Sequence, residues 1–406
     1  MALTQVRARI GTEWVTLTYN DATGRYEGTL TPPGTSIHQP GGYYSVEVEA
    51  TNDSGDTASI SGTQLASLRL VVQETTAPVV TLVFPAQGYL TTSAPVVVCS
   101  AIDESGGSGI DPDSAAALVD GAPVPCTAAE ADGGYTVTVA CSGLSDGAHT
   151  VTVSISDYDG NVGTASAAYT VDTVPPVLVL RKPGLHRVVD DDSVEIAGEV
   201  WDVTAPEVTV TVAGVPVRIE DGKFSATVPL AVGENTITIT AADGAGLTSS
   251  AELYMIRLVT DRAEADIAAL AALMEKPLDT WTTEELAWFN EAVQRGAYND
   301  EDLNRVGVAV RYLSGELERR GYIADTAPKT DWTQADAPTV GQMAAYLADV
   351  ETVRAAQGLE MPNIPETMRR LTVGGANQIE AALVAVDAVF PRYTAWSSGE
   401  VTCGGV

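Results

Sequence analysis

Apolar and polar side chains alternate along three stretches in the first two-thirds of the chain, residues 43–55, 148–160 and 234–244. Val46, Val48 and Ala50 take every second position in the first stretch, Val151, Val153 and Ile155 in the second, and Ile237, Ile239 and Ala241 in the third. A period of two places these residues on one buried face of a β-strand and their polar neighbours on the wet face. Each run stops at a turn, Asn52-Asp53-Ser54-Gly55, Asp157-Tyr158-Asp159-Gly160 or Asp243-Gly244. Side-chain oxygens and a permissive φ let the chain reverse there. Further strands are predicted over 4–10, 14–19, 26–30 and 65–72, over 79–84, 95–102, 135–140 and 165–171, and through the third repeat. The segment Thr75-Thr76-Ala77-Pro78-Val79-Val80 recurs as Thr173-Val174-Pro175-Pro176-Val177-Leu178. Proline at both places makes short, stiff connections and divides the chain into three antiparallel β-sandwiches at 1–74, 75–172 and 173–258.

The period changes after Arg257. Residues 261–275 are Ala/Leu-rich at helical spacing, and Thr282-Thr283-Glu284-Glu285 caps a second helix running to about Arg295. A third starts after Asn299, repeats Leu303, Val306, Val310, Leu313 and Leu317, and ends at Gly321. Thr339 and Gln342 form a capping box for a fourth, which carries Val340, Met343, Leu347, Val350 and Arg354. Pro365 is expected to open a short turn of helix, and a last helix carries Ile379, Leu383, Val386 and Phe390. The predicted fold is therefore multidomain: three tandem sandwiches followed by an all-α helical bundle over 259–406.

Composition narrows the function. A chain of 406 residues exceeds the roughly 100–150 residues of one domain, so several cores are expected. The net charge is −32, from 22 Lys and Arg against 54 Asp and Glu, with no lysine before Lys182. Neutralising a phosphate backbone needs a basic face, which excludes a nucleic-acid partner. No apolar run approaches the roughly 20 residues of a membrane-spanning helix, so membrane insertion is not expected. Residues 1–9 lack the apolar core of a signal peptide and already read as a strand, so export by that route is not expected either.

Candidate chemistry is sparse. Cys99, Cys126 and Cys141 fall in the second sandwich, and Cys403 lies near the end. A hairpin turning at residues 132–135 would set Cys126 opposite Cys141, close enough for a disulfide, while a reducing compartment would leave small buried thiols. The acidic turns at 157–161 and 103–106 suggest calcium, but one turn supplies only two or three of the six to eight oxygens required. The corresponding turns at 52–55 and 243–246 lack matching ligands, so ordinary turn chemistry accounts for all four. With only His38, His149 and His186, and no nucleophile elbow beside them, the chain is read as non-enzymatic and without a cofactor or metal. Tyr19, Tyr26, Tyr43, Tyr44 and Tyr158 could stack on sugars, although strand aromatics more often form core or cross-strand pairs.

Two resemblances add to this reading. The second and third repeats resemble bacterial immunoglobulin-like (Ig-like) domains through Ala77-Pro78-Val79-Val80, Asp103-Glu104-Ser105-Gly106, 144–151 and 157–161, and then through Val200-Trp201-Asp202, Gly222-Lys223-Phe224 and 230–235. Residues 282–404 resemble a module of tailed-phage and prophage structural proteins. That resemblance rests on 297–306, Tyr312-Leu313, Lys329-Thr330-Asp331-Trp332-Thr333, Ala337-Pro338-Thr339, Met343, Tyr346-Leu347, Met368, Leu371-Thr372, 376–380, Trp396 and Ser398-Gly399-Glu400. It implies a virion tail, tail-tip or fibre-type protein that assembles in the host cytoplasm and leaves by lysis. The partners it implies are other virion tail proteins, further copies of the chain and a host-surface glycan. Within the module Trp332, Tyr346 and Trp396 are the candidate partner-binding residues, and Trp332 is also expected to fold back and staple its own loop. The alternative is a cell-surface adhesin or carbohydrate-binding protein.

Overall fold

Strand alternation and helix capping organise two compact units, residues 1–174 and 175–406. The computed structural model describes residues 2–397, apart from 38–40, 86, 87 and 185, and leaves the side chains of 291–294 and 391–397 undescribed. In the first unit β1 (Leu3–Ile10), β2 (Glu13–Thr16), β3 (Thr18–Asn20), β4 (Arg25–Glu27), β5 (Tyr44–Asn52), β6 (Thr57–Ser61) and β7 (Arg69–Leu70) form the N-terminal module. One sheet has the order β2-β1-β5-β6, with β7 on β5, and β3 pairs β4 separately. The predicted strand over 14–19 breaks at Leu17, whose N–H turns back to the carbonyl of Val6 at 2.8 Å. Val6 and Ala8 are this module's fully buried hydrophobic residues among those described. Its outer face is charged: Arg7 and Arg9 pair across the ladder with Glu49 and Glu47, and both guanidinium groups lie over the Trp14 ring at 4.5 and 4.6 Å.

The second module contains β8 (Val79–Phe84), β9 (Gly88–Leu90), β10 (Val96–Ile102), β11 (Ile110–Val119), β12 (Ala122–Val124), β13 (Cys126–Ala131), β14 (Gly134–Ala140), β15 (Gly147–Asp157) and β16 (Val162–Val171). Two sheets, β13-β14-β10-β8 and β12-β11-β15-β16-β9, enclose a core of Val97, Cys99, Val137, Val139, Val153 and Ile155, among others. This pairing is that of an Ig-like sandwich. The repeat over 148–160 becomes β15, a central strand whose buried positions are those its alternation predicts.

One register differs from the sequence reading. The hairpin turns on Asp132-Gly133, with Gly133 at φ +78°, so Ala131 faces Gly134 and Cys126 faces Val139 rather than Cys141. A shift of two residues keeps each side chain on its face but separates the two cysteines. Cys99, Cys126 and Cys141 are free thiols, and Cys403 lies outside the described residues.

In the second unit β17 (Val177–Lys182), β18 (Val188–Val189), β19 (Ser193–Trp201), β20 (Thr209–Val212), β21 (Val215–Val217), β22 (Ile219–Glu220), β23 (Lys223–Pro229), β24 (Gly233–Ala242) and β25 (Thr248–Arg257) repeat the same topology. Their sheets, β17-β19-β23-β22 and β18-β25-β24-β20-β21, correspond strand for strand to those of the second module. Five helices follow: α1 (Glu264–Met274), α2 (Thr283–Gly296), α3 (Asp300–Arg319), α4 (Val340–Ala355) and α5 (Val373–Ser397). Thr282 with Glu285, Asn299 with Asp302, and Thr339 with Gln342 close capping boxes at α2, α3 and α4. The helical turn expected at Pro365 is absent; residues 361–372 carry only bends and a turn. The chain is thus an array of Ig-like β-sandwich modules with a C-terminal helical region.

Candidate functional site

The helical region and the third sandwich share one core. Val188, Ile256 and Leu258 pack in a single cluster with Leu303, Val306, Leu313, Leu347, Val350, Leu383 and Phe390. One polar stripe of α5, formed by Asn377, Glu380 and Asp387, binds backbone of the sandwich and of the segment leaving it. Asp387 Oδ2 accepts the N–H groups of Arg187 and Val188 at 2.7 and 3.1 Å, closing the open edge of β18. Glu380 Oε2 accepts Val259 N–H at 2.6 Å, and the Asn377 amide exchanges hydrogen bonds with the N–H and carbonyl of Arg262. The helix thereby satisfies backbone groups that another strand would otherwise have to satisfy.

Under this stripe lies a buried ionic quartet. Arg262 and Arg305 meet Asp302 and Glu380, all four side chains less than a tenth exposed. Glu380 Oε1 takes Arg262 Nη2 at 2.5 Å and Arg305 Nη2 at 2.8 Å, and Arg305 Nε reaches Oε2 at 3.0 Å. Two cations and two anions balance, which is what lets the four stay charged away from water. Burial pushes the Asp302 carboxyl up despite both arginines. Both guanidinium groups are held firmly protonated, because the two carboxylates outweigh their desolvation. Tyr298 stands over Arg262 at 5.5 Å, and its hydroxyl meets that of Tyr346 at 2.6 Å; burial, then the Glu380 charge, raises the Tyr298 phenol. No single spacing in the sequence marks these residues, since three separate elements contribute them.

Trp332 and Tyr346, predicted to meet a partner, lie in the bundle core with 6% and 7% of their surface exposed. Packing is the use their geometry shows. The Asn304 amide of α3 brackets the Trp332 backbone, accepting from its N–H at 2.7 Å and donating to its carbonyl at 2.8 Å, so the 329–333 loop is held from α3. At Gly307 a Cβ would come within 2.6 Å of the Lys329 carbonyl, so α3 meets that loop at backbone distance. Clefts of about 350 and 200 Å³ flank Trp332. The Trp396 side chain lies outside the described residues.

The acidic turns are less ordinary than they read. In the first unit one carboxylate oxygen each from Glu74, Asp103 and Asp157 lies within 4.8 Å of the others. Asp157 is 2% exposed. Desolvation, then the hydrogen bond with Asp157, pushes the Glu74 carboxyl up to about 7. In the second unit Asp202 and Asp243 bring their oxygens equally close, although the turn at 243 was expected to lack a matching ligand. The missing ligand comes from the turn after β19.

The histidines are committed elsewhere. His149 places Nδ1 2.7 Å from Asp120 Oδ2 and Nε2 2.7 Å from the Ser145 carbonyl. The hydrogen bond to Asp120, then that to the Ser145 carbonyl, favours the doubly protonated ring and raises its pKa. His186 Nδ1 faces the Asp387 carbonyl at 3.3 Å, and His38 lies outside the described residues.

Residues 176–257 match the family described as glucodextranase, domain B; this segment is the third sandwich. Among solved structures, the fibronectin(III)-like modules of Clostridium thermocellum CbhA share 15% identity over 44% of this chain and 93% of theirs, with a TM-score of 0.29. An I-band fragment of titin shares 12% identity over 63% of this chain and 88% of its own, with a TM-score of 0.32. The Bacteroides ovatus protein SGBP-B, solved with a mixed-linkage heptasaccharide, shares 14% over 63% and 60%, with a TM-score of 0.18. No curated protein matches the chain.

Proposed function

We propose that this chain is a non-enzymatic structural protein of a tailed virus particle or a tail-derived machine, in which the helical region anchors and the Ig-like modules project. The junction in the second unit carries this reading. A sandwich fused to a helical base through one apolar core and a balanced buried quartet transmits load without hinging, as an anchored spacer must. The setting is supported by the resemblance of 282–404 to tail proteins, and the acidic surface suits a protein held in several copies at high local density. Quantitative mass spectrometry of purified particles should find the chain at a fixed ratio to tail proteins. Its absence from particles, with retention in the cell envelope, would overturn the proposal.

A second reading, glycan binding by the sandwiches, is favoured by the match of 176–257 to a domain of glucodextranase. Affinity electrophoresis of the full chain through gels containing glucans tests it, with retarded migration as the supporting result. Unchanged mobility across glucans would set it aside.

A further inference from the structure

We propose that the second and third sandwiches each bind a calcium-class divalent cation, in the acidic pocket between the turn leaving the second strand of their smaller sheet and the turn joining their last two strands. The place is topologically the same in both modules. Asp103 follows β10 and Asp202 follows β19; Asp157 ends β15 and Asp243 follows β24. The turns themselves differ, 157–161 reading Asp-Tyr-Asp-Gly-Asn and 243–247 reading Asp-Gly-Ala-Gly-Leu, so the repetition is one of position and charge rather than of a copied motif.

In each pocket the aspartates spend one oxygen on backbone N–H groups of their own turn. Asp103 Oδ2 accepts Gly109 N–H at 2.7 Å, and Asp157 Oδ1 accepts Asn161 N–H at 2.9 Å. Asp202 Oδ1 accepts Thr204 and Ala205 N–H at 2.8 and 2.7 Å, and Asp243 Oδ1 accepts Ala245 and Leu247 N–H, both at 2.9 Å. The turns thereby aim the pairs at one another, with oxygens converging within 4.8 Å and Glu74 completing the second module's set.

The independent sign of a cation site is in the third module. Asp243 is 7% exposed, yet its Oδ2 has no donor among the described residues. Asp103 Oδ1 in the second module is likewise a buried oxygen without a donor. A buried anionic oxygen without a donor, on a carboxylate that stands close to a second one, is costly on both counts, and a divalent cation offsets both. In the second module the Asn161 Nδ2 group bridges Asp157 Oδ2 and Glu74 Oε1 at 2.8 and 3.0 Å; a rotation of that amide would present its carbonyl oxygen instead. The donors are all hard oxygens with neither His nor Cys among them, which suits calcium or magnesium and not zinc. Carboxylates arriving from separate turns favour calcium, which accepts an irregular shell of six to eight oxygens, whereas magnesium demands a tight octahedron.

The test is calorimetry of the full chain, stripped of metal by a chelator and titrated with CaCl2 or, in a parallel arm, MgCl2. Two calcium ions per chain are expected, with binding at least tenfold tighter than for magnesium. Asp157→Asn should remove one site and Asp243→Asn the other, and calcium should raise the melting temperature by about 5 °C or more. In chelator, Asp243→Asn should melt no lower than the natural chain, because it removes an unsatisfied buried charge; a clear drop there would mark a purely structural carboxylate and overturn the third-module site. Asp103→Asn gives a second variant for the other pocket should Asp157→Asn fail to fold. No calcium uptake at millimolar concentration, stoichiometry unchanged in the variants, or magnesium bound as tightly would each overturn the proposal.

Discussion

Glu380→Gln removes one charge from the centre of the sandwich-to-helix junction while keeping the side chain's shape. Its carboxylate receives four donors: Nη2 groups from Arg262 and Arg305, Nε of Arg305, and Val259 N–H. Glutamine retains one acceptor oxygen but turns an N–H group toward the guanidinium groups, and the quartet passes from balanced to net positive with all its members buried. Breaking a buried ion pair from one side costs about 3–5 kcal/mol, because the partner charge is left uncompensated. For a folding unit of 150–250 residues that is a fall of about 6–20 °C in melting temperature. Scanning calorimetry of the full chain should show the transition of residues 175–406 moving down and that of 1–174 unmoved. Replacing Arg305 and Glu380 together by methionine should recover most of the loss, since apolar side chains of similar volume carry no desolvation penalty. Glu195→Gln, which opens an exposed pair with Lys182, should leave both transitions in place. A Glu380→Gln shift below about 2 °C, or one confined to the first unit, would refute the view that this quartet joins sandwich and helices.

Trp332→Ala should destabilise the second unit by about 3–5 kcal/mol in denaturant melts, whereas Trp332→Phe should cost much less, because the ring fills core volume. An NMR titration should place the His149 imidazole above its ordinary 6.5, and Asp120→Asn should bring it back down. The folded chain holds this proton more tightly than the unfolded one. The stabilisation is therefore complete below pH 6.5 and lost as pH rises through the folded pKa; Asp120, held low by the same hydrogen bond, contributes above its ordinary 3.8 and loses its contribution on further acidification. Peptide mapping without reductant should recover Cys99, Cys126 and Cys141 as free thiols that alkylate slowly at pH 8, since burial raises all three. A Cys126–Cys141 bond would show that the hairpin register is wrong.

Local physics alone determined much of this protein. Alternation specified β5, β15 and β24, and the spacing of Thr282 with Glu285 and of Thr339 with Gln342 announced two helix starts, because a strand face or a cap is complete within a few residues. Strand β11 is not legible in the sequence because its Ala-rich run with Pro112 carries no strong alternation, and the partner of Cys126 is not legible because a turn set one residue later moves the register by two. The apolar stripe of α5 could be read from its period, but Asn377, Glu380 and Asp387 beside it could not be assigned, since their partners lie more than a hundred residues away. The acidic turns show the same limit. Asp243 read alone is a capped turn, and it became half of an acidic pocket only when the fold brought Asp202 to it from the end of another strand. Backbone geometry is decided by neighbours in sequence. Buried charge is decided by neighbours in space, which only the packed sheets and helices supply.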